Sequence, residues 1–153
     1  MEAGALAQLN DLGAGAALAL AAVGSGLGAG AAGMAAIGAW KKAFAQNKAA
    51  SFMLVVFVGA PLTQTIYGMI MMNWIVEAAA NAHYMWGIGI FGGIAMGVSA
   101  MMQGKAAAVA SDAMGETGKG FGNYIVVLGV IETVALFVMV FSRTIIYSKL
   151  TGM

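Results

Sequence analysis

The chain has 153 residues, of which 61% are hydrophobic and only 8% charged, against about 25% charged in an ordinary soluble domain. A net charge of +1 with scattered lysines offers no basic stripe for nucleic acid, and the absence of cysteine excludes disulfides, zinc–thiolate sites and thiol catalysis. Too little polar surface is left to cover a soluble fold, so a protein embedded in lipid is predicted.

In chain order, the opening Met1-Glu2-Ala3-Gly4 lacks the basic stretch of a secretory signal, so the first apolar segment is expected to be retained. No charge falls between Asp11 and Lys41, between Lys48 and Glu77, or between Glu77 and Lys105. The fourth stretch, Lys119 to Arg143, holds a single carboxylate, Glu132. Each exceeds the about 20 residues that cross a bilayer as helix, and helix is the form in which a lipid-exposed backbone satisfies itself. The predicted fold is an all-α membrane protein with one membrane domain over 1–153. Its four transmembrane helices form two fused hairpins, 12–76 and 85–147, expected to assemble into a closed ring. Connectors are expected at Lys41–Lys48, Glu77–Tyr84 and Ser111–Lys119.

Lys41, Lys42, Lys48 and Lys119 fall on the first and third connectors, with Lys105 nearby, whereas the other face has Arg143 and Lys149. The positive-inside bias then places loops 41–48 and 111–119 in the cytoplasm and both termini outside. The halves resemble each other: Gly26-Leu27-Gly28-Ala29 precedes Gly97-Val98-Ser99-Ala100, and Val55-Val56-Phe57 precedes Val126-Val127-Leu128, at a similar interval. Leu62-Thr63 best matches Glu132-Thr133. The repeat is parallel, which weakens an inverted-repeat transporter reading.

Gly28-Ala29-Gly30-Ala31-Ala32-Gly33 has dinucleotide-fingerprint spacing, but no strand precedes it and no acidic residue follows at the required distance. The glycines read better as packing. At 3.6 residues per turn, Gly24 and Gly28 share one helix face, while Gly26, Gly30 and Gly33 lie nearly opposite. A helix small on two opposed faces can be approached closely from both sides, as an inner helix of a closed ring requires. On this reading Gly28 meets a neighbouring copy, and Val138 faces lipid.

Glu132 is flanked on both sides by uncharged residues. A charge at mid-membrane costs at least about 2.5–3.5 kcal/mol, so an intramembrane acid reads as an ion or proton site. Thr63 and Gln64 on the second helix and Gln103 on the third fall near the same depth, and Tyr67 shares a face with Thr63. These four uncharged oxygen-bearing side chains make a cage suited to a hard cation. Pro61 lacks a backbone donor and frees a carbonyl about one turn earlier, near Phe57. Lys105 is expected to snorkel to the interface. His83 lies among interfacial aromatics, and Met69, Met71 and Met72 read as bulk.

Two fused hairpins, a GxGxGxG first helix and a lone fourth-helix glutamate resemble the proteolipid rotor-ring subunits of V-type ATPases. The runs Pro61-Leu62-Thr63-Gln64-Thr65-Ile66-Tyr67-Gly68, Gln103-Gly104-Lys105 and Ile131-Glu132-Thr133 are most similar to bacterial sodium-translocating members. The resemblance implies a non-catalytic ion-carrying subunit in a bacterial cell membrane. Its Na+ would be held by Glu132, Thr63, Gln64, Gln103 and the Ala60 backbone carbonyl, with Tyr67 bonding Glu132. It implies other copies of the chain in a ring, a stator subunit that supplies an arginine, central-stalk subunits at the cytoplasmic loops, surrounding lipid, and nucleotide hydrolysis elsewhere. The pattern departs in having Ala60 where leucine is common and Leu62 where glycine is usual. A proton-carrying ring is the alternative, and a small multidrug exporter a weaker one.

Overall fold

A computed structural model describes residues 3–151. It has helix α1 at Ala3–Ala45, α2 at Leu54–Gly59, a 3-10 turn at Ala60–Leu62, α3 at Thr63–Ala80, α4 at Trp86–Thr117 and α5 at Phe121–Leu150. No strand occurs among the described residues. Gly4–Ala45, Leu54–Ala80, Trp86–Thr117 and Phe121–Leu150 are each long and apolar enough to cross a membrane. The protein is therefore an all-helical, multi-pass membrane protein. Residues 1, 2, 152 and 153 of the expected membrane domain lie outside the described residues.

The connectors are displaced from the expected positions. Helix α1 continues through Lys41 and Lys42 to Ala45, and α4 passes Ser111 to end at Thr117. The non-helical segments are 46–53, 81–85 and 118–120. Charge marks where a helix leaves lipid, not where it stops, because lysine and glutamate are good helix formers in water. At 1.5 Å per residue α1 is about 64 Å long, roughly twice the hydrocarbon thickness of about 30 Å. Its end lies beside the end of α4, where Lys42 and Glu116 form an exposed ion pair. The stop after α4 comes from glycine: Gly118 and Gly120 have φ of +65° and +91°, which a side chain disfavours.

Helices α1 and α4 run parallel with their backbones in near contact. A Cβ on Gly24 would overlap Gly97, one on Gly28 would overlap the Ala100 carbonyl, and one on Gly104 would overlap Gly28. Helix α3 lies antiparallel on α1, with Gly68 against Ala17 and Ala21. These contacts correct one expectation, since the Gly24–Gly28 face is filled by the chain's own third crossing. On the opposed face, Gly26 and Gly30 have nothing within 4 Å, and Gly33 is near only Val58. Val138, expected to face lipid, is half-buried against the chain's own core.

Two apolar clusters form the interior. The one toward the chain ends contains Ala14, Ala17, Ala21, Met71, Ile75, Met96 and Met139. The other, toward the 46–53 and 118–120 connectors, contains Ala32, Ala36, Leu54, Phe57, Ala107 and Leu128. Alanine supplies all of α1's share of both, which keeps that helix thin and lets α3 and α4 come together across it. The close contacts predict that Gly28→Ala and Gly104→Ala each destabilise the protein by about 1–3 kcal/mol through overpacking. Gly26→Ala and Gly30→Ala should leave the detergent-solubilised chain as stable or slightly more so, because alanine favours helix. Equal melting losses for both pairs in detergent would contradict this packing.

Candidate ion-binding site

Between the two apolar clusters lies a layer of polar side chains from α3, α4 and α5. Pro61 creates its geometry. Lacking an N–H, it interrupts the α-helical ladder, and the second crossing tightens to a 3-10 turn over Ala60–Leu62 before α3 begins at Thr63. The buried proline ring lies beside Gly28. The carbonyl brought into the layer is that of Ala60, which accepts a hydrogen bond from Thr63 Oγ1 at 3.2 Å. Phe57 instead places its ring in the apolar cluster, 5.5 Å from Phe121 between centroids.

The same Thr63 hydroxyl is 3.2 Å from Gln64 Oε1, an alternative acceptor for its single proton. Gln64 Nε2 donates to Gln103 Oε1 at 2.7 Å, and both glutamines are fully buried. Gln103 Nε2 then spends its two protons on α5, donating to the Leu128 carbonyl at 3.0 Å and to Glu132 Oε2 at 3.2 Å. Tyr67 donates its hydroxyl to the other carboxylate oxygen, Glu132 Oε1, at 2.8 Å. Each oxygen of the half-buried Glu132 is thus met by a donor from a different helix. Thr63, Gln64, Tyr67, Gln103, the Ala60 carbonyl and Glu132 form one continuous network.

Chemically, this network can hold one negative charge amid neutral oxygens. The side-chain oxygens of Gln64 and Gln103 each accept no more than one hydrogen bond within this network and so keep a free lone pair. Beside them, between Gly59–Ala60 and Ile125–Gly129, a groove leads to Glu132. Leu62 is 50% exposed. Lys105 is exposed, and Arg143 lies over the rings of Trp74 and Tyr147.

Sequence reasoning missed two positioning residues. Ser99, buried one turn before Gln103, donates to the Ile131 carbonyl at 3.0 Å and fixes α4 to α5 directly before Glu132. Its i, i+4 spacing from Gln103 was the available signal. Asn10 is buried near the start of α1, where it accepts from the Met85 N–H at 2.8 Å and anchors the connector between the hairpins. Its position before the first uncharged stretch carries no comparable signal.

Residues 86–145, which hold Ser99, Gln103 and Glu132, match the family model for the C subunit of ATP synthase. The match covers less than half of the chain. No curated protein matches the chain. Over the hairpin of α4 and α5 the chain is thus similar to the C subunit of ATP synthase.

Proposed function

We propose that the whole chain is the ion-carrying rotor-ring subunit of a V-type rotary ATPase, and that Na+ is the ion it carries at Glu132. The observation that supports this most is the oxygen network around a single intramembrane carboxylate. A proton carrier needs only an acid, which burial alone would tune. A sodium site must replace most of a hydration shell, and Thr63, Gln64, Gln103 and the Ala60 carbonyl supply oxygens beside Glu132. Among the described residues no three His, Cys, Asp or Glu side chains gather. One carboxylate neutralises a monovalent ion, whereas a divalent ion would leave a net charge in lipid.

In this reading Glu132 takes an ion from an aqueous channel at a stator subunit. Once neutralised, it travels through lipid as the ring turns, until a stator arginine displaces the ion. Tyr67 and Gln103 hold the carboxylate turned toward the cage. Stalk subunits bind at the lysine-bearing connectors, which face the cytoplasm of a bacterial cell, with both termini outside. Nucleotide hydrolysis belongs to other subunits.

The ring is tested at the open glycine face. Gly26→Leu should leave the single chain folded yet abolish the high-mass assembly on native electrophoresis, because α1 could no longer receive a neighbour. Intact rings from this variant would remove that face from the interface.

Ion identity is tested by labelling with a hydrophobic carbodiimide, which reacts with a protonated buried carboxyl. Sodium should protect Glu132 by holding it ionised, and Glu132→Gln should form rings that neither label nor transport. Protection should weaken as pH falls, because protons compete for the same oxygens. Thr63→Val and Gln103→Leu should each raise the sodium concentration needed for half-protection by about fivefold or more, the loss of one oxygen at about 1–3 kcal/mol. Labelling indifferent to sodium at every pH would favour a proton carrier instead.

A further inference from the structure

A second site-like feature lies outside the ion network, toward the chain ends. Between α3 and α5 is a cleft of about 810 Å³, lined by Trp74, Met139, Val140, Arg143, Tyr147 and Ser148 among others. Its chemistry changes along the helix. Met139, Val140 and Trp74 make the part nearer the membrane centre apolar, while the outer part holds Arg143 with Thr144, Ser148 and Thr151, whose hydroxyls donate to their own helix backbone.

Arg143 is exposed, with its guanidinium carbon 4.7 Å from the Tyr147 ring centre and 5.6 Å from that of Trp74. Stacking on two aromatic faces orients the guanidinium without using its N–H donors. Arg143 forms no ion pair among the described residues. Glu77 is nearby, but it accepts from the Tyr147 hydroxyl at 3.4 Å, the tip of the ring that Arg143 covers. From Glu132 to Arg143 the helix advances about 16 Å, and half the hydrocarbon thickness is about 15 Å. With Glu132 near the midplane, Arg143 stands at the level of lipid phosphates.

The geometry points to a binding site for an anionic phospholipid in this cleft. One acyl chain lies along Trp74, Met139 and Val140, and the headgroup phosphate sits on the Arg143 guanidinium. Charge selects the lipid. A guanidinium without a carboxylate partner attracts an anion, whereas a zwitterionic headgroup brings its own cation next to Arg143. The site is independent of which ion Glu132 carries.

The test is native mass spectrometry of the purified, delipidated protein in its native assembly, titrated with phosphatidylglycerol and with phosphatidylcholine of the same chains. Phosphatidylglycerol should bind about fivefold more tightly. Arg143→Gln should erase that preference, and Lys41→Gln, at the opposite end of the molecule, should retain it. Trp74→Ala should weaken both lipids alike. Assemblies of native mass from each variant establish folding. The proposal is overturned if Arg143→Gln keeps the preference, or if glycerol phosphate, which has no chains, competes as well as the lipid. It is equally overturned if the cleft variants dissociate the assembly, since a neighbouring copy would then be the occupant.

Discussion

A carboxylate at the middle of a bilayer must be satisfied by protein, since the surrounding hydrocarbon has neither donors nor water to offer. The arrangement of α3, α4 and α5 follows from that constraint. Tyr67 on α3 and Gln103 on α4 each reach one oxygen of Glu132, on α5, so three helices must hold a common depth and rotation. Gln64 donates to Gln103 and fixes the amide that does the donating. Helix α1 supplies none of these groups. Its alanines and glycines let α3 and α4 lie against it closely enough for the two glutamines to meet at 2.7 Å.

Two buried amides would each cost about 1–3 kcal/mol if left unpaired, so the layer favours one arrangement strongly over any slip of a helix by a turn. The ion pair between Lys42 and Glu116 differs in kind. Both partners are exposed in water, where such pairs contribute little, and it records that α1 and α4 end together rather than holding them there. The backbone contacts at Gly24, Gly28 and Gly104 do the holding, through close packing of small residues as expected in lipid.

The number and type of crossings were legible from charge-free stretches, because lipid leaves a spanning backbone little alternative to helix. The shared depth of Thr63, Gln64, Gln103 and Glu132 was legible too, since helical rise converts residue counts into ångströms. The helix ends were not legible: Lys41, Lys42 and Glu116 suit a helix projecting into water as well as a loop. Gly28 could be read as a point of close approach, but nothing in a single sequence says whether the approaching backbone is Ala100 of the same chain or that of a neighbour. Ser99 and Asn10 stayed hidden for a related reason. A small polar residue in a helix can bond its own backbone, as Thr133 and Thr144 do, or a neighbouring segment, and its identity does not say which.

Glu132 also explains why one chain benefits from two hairpins. At the position best matched to Glu132 in the first half stands Leu62, half-exposed and apolar. A chain with a carboxylate in each half would place twice the charge in lipid, each needing its own set of donors. Here the halves have divided the work. The first contributes the neutral Thr63, Gln64, Tyr67 and Ala60 carbonyl, and the second contributes the charge together with Gln103 and Ser99, which position it. Joining both in one polypeptide guarantees that the carboxylate has its neutral partners within the same molecule.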